Sequence, residues 1–517
     1  MKKLKLVCVA IAMAGAAPTF AGGLLTNTNQ HVAFNRMMSR EASIGIDGVY
    51  YNPAGVVFMG EGHHLAINWQ LAYQTRTINN DYKLFTNNVN NPITPRDFKG
   101  KAFAPVIPSF QYAYNKGKWS FQANFSLTGG GGKCTFDDGL GSFEKIVSET
   151  ALAACQLAGA VDQVAAQYGL PAVFTSDKNF GKEGKYSYNS YMHGRQYYYG
   201  LSLGAAYKFS DNFSAFAGVR GVYASTNYYG YVENIKVGAM PLYKVLDPTK
   251  ETAANIELSC DQSGVGFTPI IGVDFKTGKW NFAAKYEFKT RIRLKNKSVN
   301  QTPSIGNLPD NLRNAYIAGG VPEAAADAII GNPVIQGAMG QLKTQFDAKL
   351  EKAIGEYEDG KKIAGDIPGY LALGIGYSPV DAVRVNVGFH WFDDKNATSY
   401  NNRNKELKRG TLEYNAGVEV DVNKKITLST GWQNTNYGLS DEYMDDKSFV
   451  VGSNSAAIGG VYHINKKMDL NVAYFHTFYQ HKKTSETVQL AADKSIVYNS
   501  DYTRNNNVFA VGLDINF

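Results

Sequence analysis

Lys285, Lys289, Arg291, Arg293 and Lys295 fall at alternate positions of one run, with Glu287 among them, while Trp280, Phe282, Tyr286, Phe288, Ile292 and Leu294 fill positions between. A period of two is the period of a strand, so the run has one basic face and one apolar face. In a largely apolar cavity a guanidinium or ammonium pairs with a ligand carboxylate, because charge-assisted hydrogen bonds gain strength where water is excluded. Arg220 and Arg384 can add to such a site from other segments. The same cations can instead be neutralised by protein carboxylates such as Glu413 or Glu419.

Other chemistries find less support. A hydrolase needs a nucleophile, a histidine base and an orienting acid. His63, His64, His463 and His481 fall near the ends of alternating segments, His193 in a loop, and His390 stands alone on an inward face. None sits in a serine or metal pattern, so neither an enzyme nor a metal site is expected. The run Gly129-Gly130-Gly131-Gly132-Lys133 is not a nucleotide loop: Leu127 stands where that loop needs glycine, and Cys134 where it needs Ser or Thr. No cofactor is expected.

Residues 1–21 combine Lys2, Lys3 and Lys5 with an apolar stretch from Leu6 to Ala17 and small residues at Thr19 and Ala21, the pattern of a secretory signal peptide. Its removal takes the net charge from +7 to +4, because those three lysines leave with it. That balance gives no support to nucleic-acid binding. Cys134, Cys155 and Cys260 then remain, and an oxidising compartment permits one disulfide among them, with no pair favoured by the sequence.

The elements that position the cations are strands. No later apolar run approaches the roughly 20 residues of a membrane-spanning helix. Mean hydropathy is −0.27, yet 13% of residues are aromatic. A membrane protein of this composition must be a closed barrel, with aromatic girdles at the two interfaces. Alternation bounded by turn residues predicts about fourteen strands, at 62–80, 102–115, 118–129, 194–209, 212–235, 260–276, 279–296, 366–378, 381–394, 409–422, 425–438, 450–463, 467–481 and 501–517. The last carries Phe509, Val511, Leu513, Ile515 and the terminal Phe517 on one face. Tight turns such as 115–118, 210–211, 276–279, 379–380, 423–424 and 465–466 alternate with long connections, as periplasmic turns and outer loops must when both chain ends lie in the periplasm. The expectation is an all-β, 14-stranded antiparallel transmembrane barrel over 61–517, with long outer loops at about 130–193 and 297–365. Apolar residues at helical spacing predict amphipathic loop helices at roughly 142–168 and 333–355, which can cap the rim or line an outer groove for an apolar ligand. Residues 22–60 precede the barrel, are too short for a domain, and are expected to fold inward as a plug.

Tyr50-Tyr51-Asn52-Pro53-Ala54-Gly55 resembles the Asn-Pro-Ala hatch motif of the FadL/TodX family of outer-membrane hydrophobic-substrate transporters. The resemblance extends to Gly129–Gly132 with Lys133, Phe136 and 139–144, and to 285–290, and covers nearly the whole chain after the leader. The chain departs from the family in having Gly141 where proline is common, and in its cysteines. The resemblance implies a monomeric outer-membrane barrel, inserted by the assembly machinery through its C-terminal strand. Fatty acids or other lipophiles would be captured at the outer loops, passed by a hatch fixed at Asn52, Pro53, Ala54 and Gly55, and released sideways at a kinked third strand, here at Gly129, Gly130, Gly131 and Gly132. With such a cargo, the residues' own pattern makes Lys285, Lys289, Arg291, Arg293, Arg220 and Arg384 the candidates to meet a substrate carboxylate. A phospholipase-like barrel enzyme and a general porin are the alternatives, and the plug argues against free diffusion.

Overall fold

The computed structural model describes residue 24 and residues 26–303, 307–340, 343–344, 355–491 and 494–517; the expected leader at 1–21 lies outside the described residues. The wall consists of β1 (Gly62–Tyr82), β2 (Arg96–Lys116), β3 (Trp119–Phe136), β4 (Tyr186–Lys208), β5 (Phe213–Val237), β6 (Met240–Pro241), β7 (Ile256–Thr277), β8 (Trp280–Glu287), β9 (Arg293–Gln301), β10 (Lys362–Ala364), β11 (Tyr370–Val380), β12 (Val383–Phe392), β13 (Thr411–Asn423), β14 (Ile426–Asn436), β15 (Ser453–Asn465), β16 (Met468–Tyr479), β17 (Lys482–Ala491) and β18 (Lys494–Asn516). β8 with β9, β10 with β11, and β16 with β17 are single strands broken midway, and β6 only pairs with the end of β5, so the barrel has 14 strands. Antiparallel pairing of β1 with both β18 and β2 closes it.

Alternation sorts the residues as lipid and lumen demand. Phe121, Leu201, Phe267, Ile271, Leu428, Ile458, Phe509 and Val511 are exposed on the outside, whereas Gln122, Asn124, Asn386, Glu413 and Glu419 are buried inside. So much contiguous apolar surface is foreign to a soluble monomer and belongs in lipid. No helix among the described residues is long and apolar enough to cross a membrane.

Several boundaries differ from the alternation reading, and three of the differences bear on the site. β3 runs through the four glycines to Phe136 instead of stopping at 129, and the β17–β18 hairpin extends the wall through residues expected to be loop. The seventh strand breaks at 288–292. Lys285 and Glu287 are buried, but beyond the break Ile292 and Leu294 are buried while Arg291, Arg293 and Lys295 are exposed. A shift of one residue sends every later side chain to the opposite face, so the expected lumenal ladder ends at the break.

α1 (Val32–Met37) and α2 (Gly48–Tyr51) lie in the plug, where residues 26–43 are buried. Met38, with φ 61°, ends α1, and Pro53 ends α2 because the residue before proline is driven out of helical angles. At the end of the barrel with long connections lie α3 (Gly141–Gln167), α4 (Tyr243–Leu246), α5 (Leu308–Ala318) and α6 (Glu323–Ile330). Residues 333–340 are also helical; Leu342, Phe346, Leu350 and Ile354 of the expected helix lie outside the described residues. α3, α5 and α6 bury their apolar faces together, with Phe143, Val147, Val161, Tyr316 and Ile329 in one core. The Asp162 carboxylate accepts the Thr175 amide at 2.7 Å and the Tyr316 hydroxyl at 2.9 Å. The helices thus form a cap. A Cβ at Gly141 would strike the Asn80 side chain, a local reason for glycine there. Cys134, Cys155 and Cys260 are all free and buried, on β3, α3 and β7, so the permitted disulfide is not formed.

Candidate functional site

The plug is pinned to the wall at its Asn-Pro turn. Asn52 Nδ2 donates to Asp274 at 2.5 Å and to the Ser43 carbonyl at 3.3 Å, while Asn52 Oδ1 accepts the Gly55 amide at 3.2 Å. The Pro53 carbonyl accepts from Gln122 at 2.7 Å and that of Ala54 from Ser214 at 2.7 Å. A Cβ on Gly55 would collide with the Asn52 amide. The Asn52 side chain and the carbonyls of Pro53 and Ala54 thus tie the turn to β3, β5 and β7 of the wall.

The inward cations are already paired. Arg220 forks onto Glu287 at 2.5 and 3.0 Å, and Lys285 reaches Glu287 at 2.9 Å and the Tyr50 carbonyl at 2.7 Å. Arg384 binds Glu419 and Asp421 near the tight-turn end, and Lys289 donates to the Asn396 carbonyl at 3.0 Å. Arg291 is exposed and forms no ion pair among the described residues, and Arg293, also exposed, reaches the buried Asp366 at 2.8 Å, a carboxylate that Lys289 approaches at 3.9 Å. Three plug residues extend it: Arg36 binds Glu419, Arg40 binds Asp47, and Glu41 binds His390 at 2.7 Å. His390 is not isolated, because its other nitrogen lies 2.8 Å from Glu413, so the ring joins a plug carboxylate to a wall carboxylate.

The wall itself is interrupted. β2 and β3 pair from Lys116↔Trp119 to Phe110↔Phe125 and again from Phe103↔Lys133 to Gly100↔Phe136, leaving 104–109 and 126–132 without a ladder between them. On its other edge β3 bulges against β4 at Leu127/Gly129 and Gly130/Gly132. Gly130 has φ +71°, and a Cβ there would enter the Gln196 backbone, so glycine is required. Across the gap, Pro105 and Pro108 have no N–H to offer.

Plug residues occupy the opening. The Asn27 amide N–H donates to the Thr128 carbonyl at 2.9 Å. Asn27 Nδ2 donates to the carbonyls of Leu127 and Gly130 at 3.2 and 2.8 Å, and Gln30 Nε2 to that of Leu127 at 2.9 Å. Carbonyls that lost strand partners are thereby satisfied, as buried backbone must be. Tyr50 and Tyr51 hold the segment through the carbonyls of Asn27 and Thr28, and pack with Phe34, Ala104, Ile107 and Leu127 in an apolar cluster on the lumenal side. Sequence inspection missed Asn27, Gln30 and the two prolines; two prolines three apart in a strand facing a glycine run are the signal that could have found the gap.

A cavity of ≈ 480 Å³ at the long-loop end is lined by Leu24, Tyr198, Leu294 and Ile363, with Arg403 and Lys447 beside Asp445. Asp394 also lines it, its carboxylate accepting the Thr411 and Leu24 amides at 2.8 and 3.4 Å. Burial pushes the Asp394 carboxyl up to about 6.

Two chemical alternatives can be judged from geometry. His463 lies 2.7 Å from Asp469 and 3.0 Å from the Thr427 hydroxyl, an arrangement of nucleophile, base and acid. The Thr427 hydroxyl, however, donates to Asp421 at 2.6 Å, so its proton does not point at the ring and the base role fails. Among the described residues no group of three His, Cys, Asp or Glu side chains could hold a metal ion.

No family model and no curated protein matches the chain. Among solved structures, a Pseudomonas aeruginosa FadL homologue is similar at TM-score 0.60 and 14% identity, covering 96% of this chain and 100% of that one. A deletion mutant of TodX, described as a monoaromatic hydrocarbon channel, is similar at TM-score 0.52 and 13% identity, covering 94% and 99%. The molecule thus has the fold of the FadL/TodX outer-membrane barrels.

Proposed function

We propose that this protein carries long-chain fatty acids or other apolar small molecules across the outer membrane, taking them up at the long-loop end and releasing them sideways between β2 and β3. The observation that carries this reading is the missing ladder between 104–109 and 126–132, where Asn27 and Gln30 of the plug supply hydrogen bonds instead. A filled lumen beside an interrupted wall favours a lateral route over an axial pore. The apolar cluster of Phe34, Tyr50, Tyr51 and Leu127 supplies a lipophile with a surface inside the opening. The printed descriptions of the two similar structures, a FadL homologue and a monoaromatic hydrocarbon channel, agree with a lipophilic cargo. Arg403 and Lys447 at the upper cavity share Asp445 only at 4.0 and 3.6 Å and are better placed to greet an incoming carboxylate than Arg220 or Lys285, which hold Glu287 at 2.5 and 2.9 Å. Transport needs no ATP or cofactor in this scheme, and the exposed Phe517 presents the last strand to assembly machinery.

The test replaces Gly129 by valine and leaves Gly130, where only glycine fits, unchanged. A β-branched side chain would then narrow the opening, and uptake of oleate or of small aromatics should fall about tenfold or more while binding stays within about twofold, since about 1.4 kcal/mol separates each decade. Unchanged uptake would remove the lateral route. Saturable sugar uptake without uptake of lipophiles would remove the transport reading itself.

A further inference from the structure

Beyond the break at 288–292 the reversed alternation leaves Arg291, Arg293 and Lys295 exposed on the outside of the wall, and Lys297 continues the row. Lys362 of β10 is also exposed and is the direct register partner of Lys295. Like charges directly opposite on one face of a sheet repel. No ion pair of Arg291, Lys295, Lys297 or Lys362 exists among the described residues. Asp366 is taken by Arg293 at 2.8 Å, and Asp261, the register partner of Lys297, accepts from Asn227.

Beside this patch the wall has a groove of ≈ 310 Å³. Its floor is Gly221, and its sides are Phe125, Leu201, Tyr223, Val265 and Phe267. Val265 and Phe267 are 65% and 70% exposed. Gly264 and Gly266 of β7 let the broken strand approach closely: a Cβ on either would lie 2.7–2.8 Å from the carbonyl oxygen of Arg293 or Arg291. Register sets Lys295 opposite Ser263, two residues along β7 from Val265 of the groove.

We infer that this outer face binds a phosphate-bearing lipid of the outer leaflet, one acyl chain lying in the Gly221 groove and the phosphate held by Arg291, Lys295 and Lys362. A phosphate offers several acceptor oxygens to cations of this kind, and an anion between Lys295 and Lys362 removes their repulsion. An apolar slot bordered by basic side chains is the form that anionic lipid sites take on membrane proteins. The site faces away from the lumen, and its far side, at Phe125 and Tyr199, borders the β2–β3 opening, so dependence on the phosphate is what separates a resident lipid from released cargo.

Native mass spectrometry of the full mature protein tests this with phosphatidic acid, diacylglycerol of the same chains, and inorganic phosphate. Phosphatidic acid should be retained at least about tenfold over diacylglycerol, and R291A/K295A/K362A should abolish most of that preference. The charge-preserving K295R/K362R should keep it. Gly221→Leu should weaken retention by filling the groove, and it is compatible with folding because a Cβ there meets only Phe267 at 3.8 Å and the Leu201 carbonyl at 4.0 Å. Equal retention of the two lipids, or undiminished preference in the triple variant, overturns the proposal. So does displacement of phosphatidic acid by millimolar inorganic phosphate to the same extent in the wild type and in Gly221→Leu, because the chain would then contribute nothing.

Discussion

Replacing Asn27 by alanine should release the plug from the broken part of the wall. The substitution removes the two Nδ2 hydrogen bonds to the carbonyls of Leu127 and Gly130 and leaves the backbone bond to Thr128 in place. Gln30 still satisfies Leu127, so the Gly130 carbonyl is the acceptor whose side-chain donor disappears. Each hydrogen bond is worth about 1 kcal/mol net, and a buried carbonyl left unpaired costs a further 1–3 kcal/mol, so the closed arrangement should lose about 2–4 kcal/mol. That corresponds to a roughly 30- to 1,000-fold larger open population. Hydrogen exchange at residues 26–30 reads the change directly: these amides should exchange faster by about that factor, while β1 and β18 keep wild-type protection. Asn27→Asp should open the site further, because a carboxylate would face carbonyl oxygens. Uptake of lipophiles should rise with opening. Wild-type exchange at 26–30, or a uniform rise across the barrel, would refute the idea that these bonds hold the opening shut.

Three other perturbations follow from the same contacts. His390→Ala leaves Glu41 and Glu413 facing a void without the ring that joins them, which should cost about 3–5 kcal/mol and make the plug protease-sensitive; a plug as resistant as wild type would show that the link is dispensable. Asn52→Ala removes the bond to Asp274 and should weaken plug anchoring by about 1.5–3 kcal/mol, altering uptake while heat-modifiable gel migration persists; unchanged uptake would make the turn merely structural. Asp394, at about 6 in the folded protein, lies above the unfolded value of about 3.9. Its raised value favours the protonated form, so stability is highest below about 4 and is lost as pH rises towards about 6, on the order of 3 kcal/mol in all. Urea unfolding in micelles from pH 4 to 7 should show this fall in the wild type and lack it in Asp394→Asn.

The barrel was legible in the sequence because its cause is local. Every wall residue faces either lipid or lumen, so each strand repeats the same two-residue pattern, and the alternation of Trp119, Phe121, Ala123 and Phe125 with Gln122 and Asn124 could be read without knowing any partner strand. Tight turns were legible for the same reason. α5 and α6 were not assigned, since the surroundings of a helix in the cap come from α3 and the strand tops and not from its own neighbours in the chain. The inward placement of Arg291 and Arg293 failed because a single residue at the 288–292 break reverses every later side chain, and nothing in the apolar-basic alternation marks where the phase changes. What only the tertiary structure decided are contacts across the closed lumen. Glu41 meets His390, 349 positions away, and Asn27 meets Gly130, 103 positions away. Hydrogen bonds and charge pairs act over about 3 Å, and which groups come that close is settled by closing the barrel around its plug.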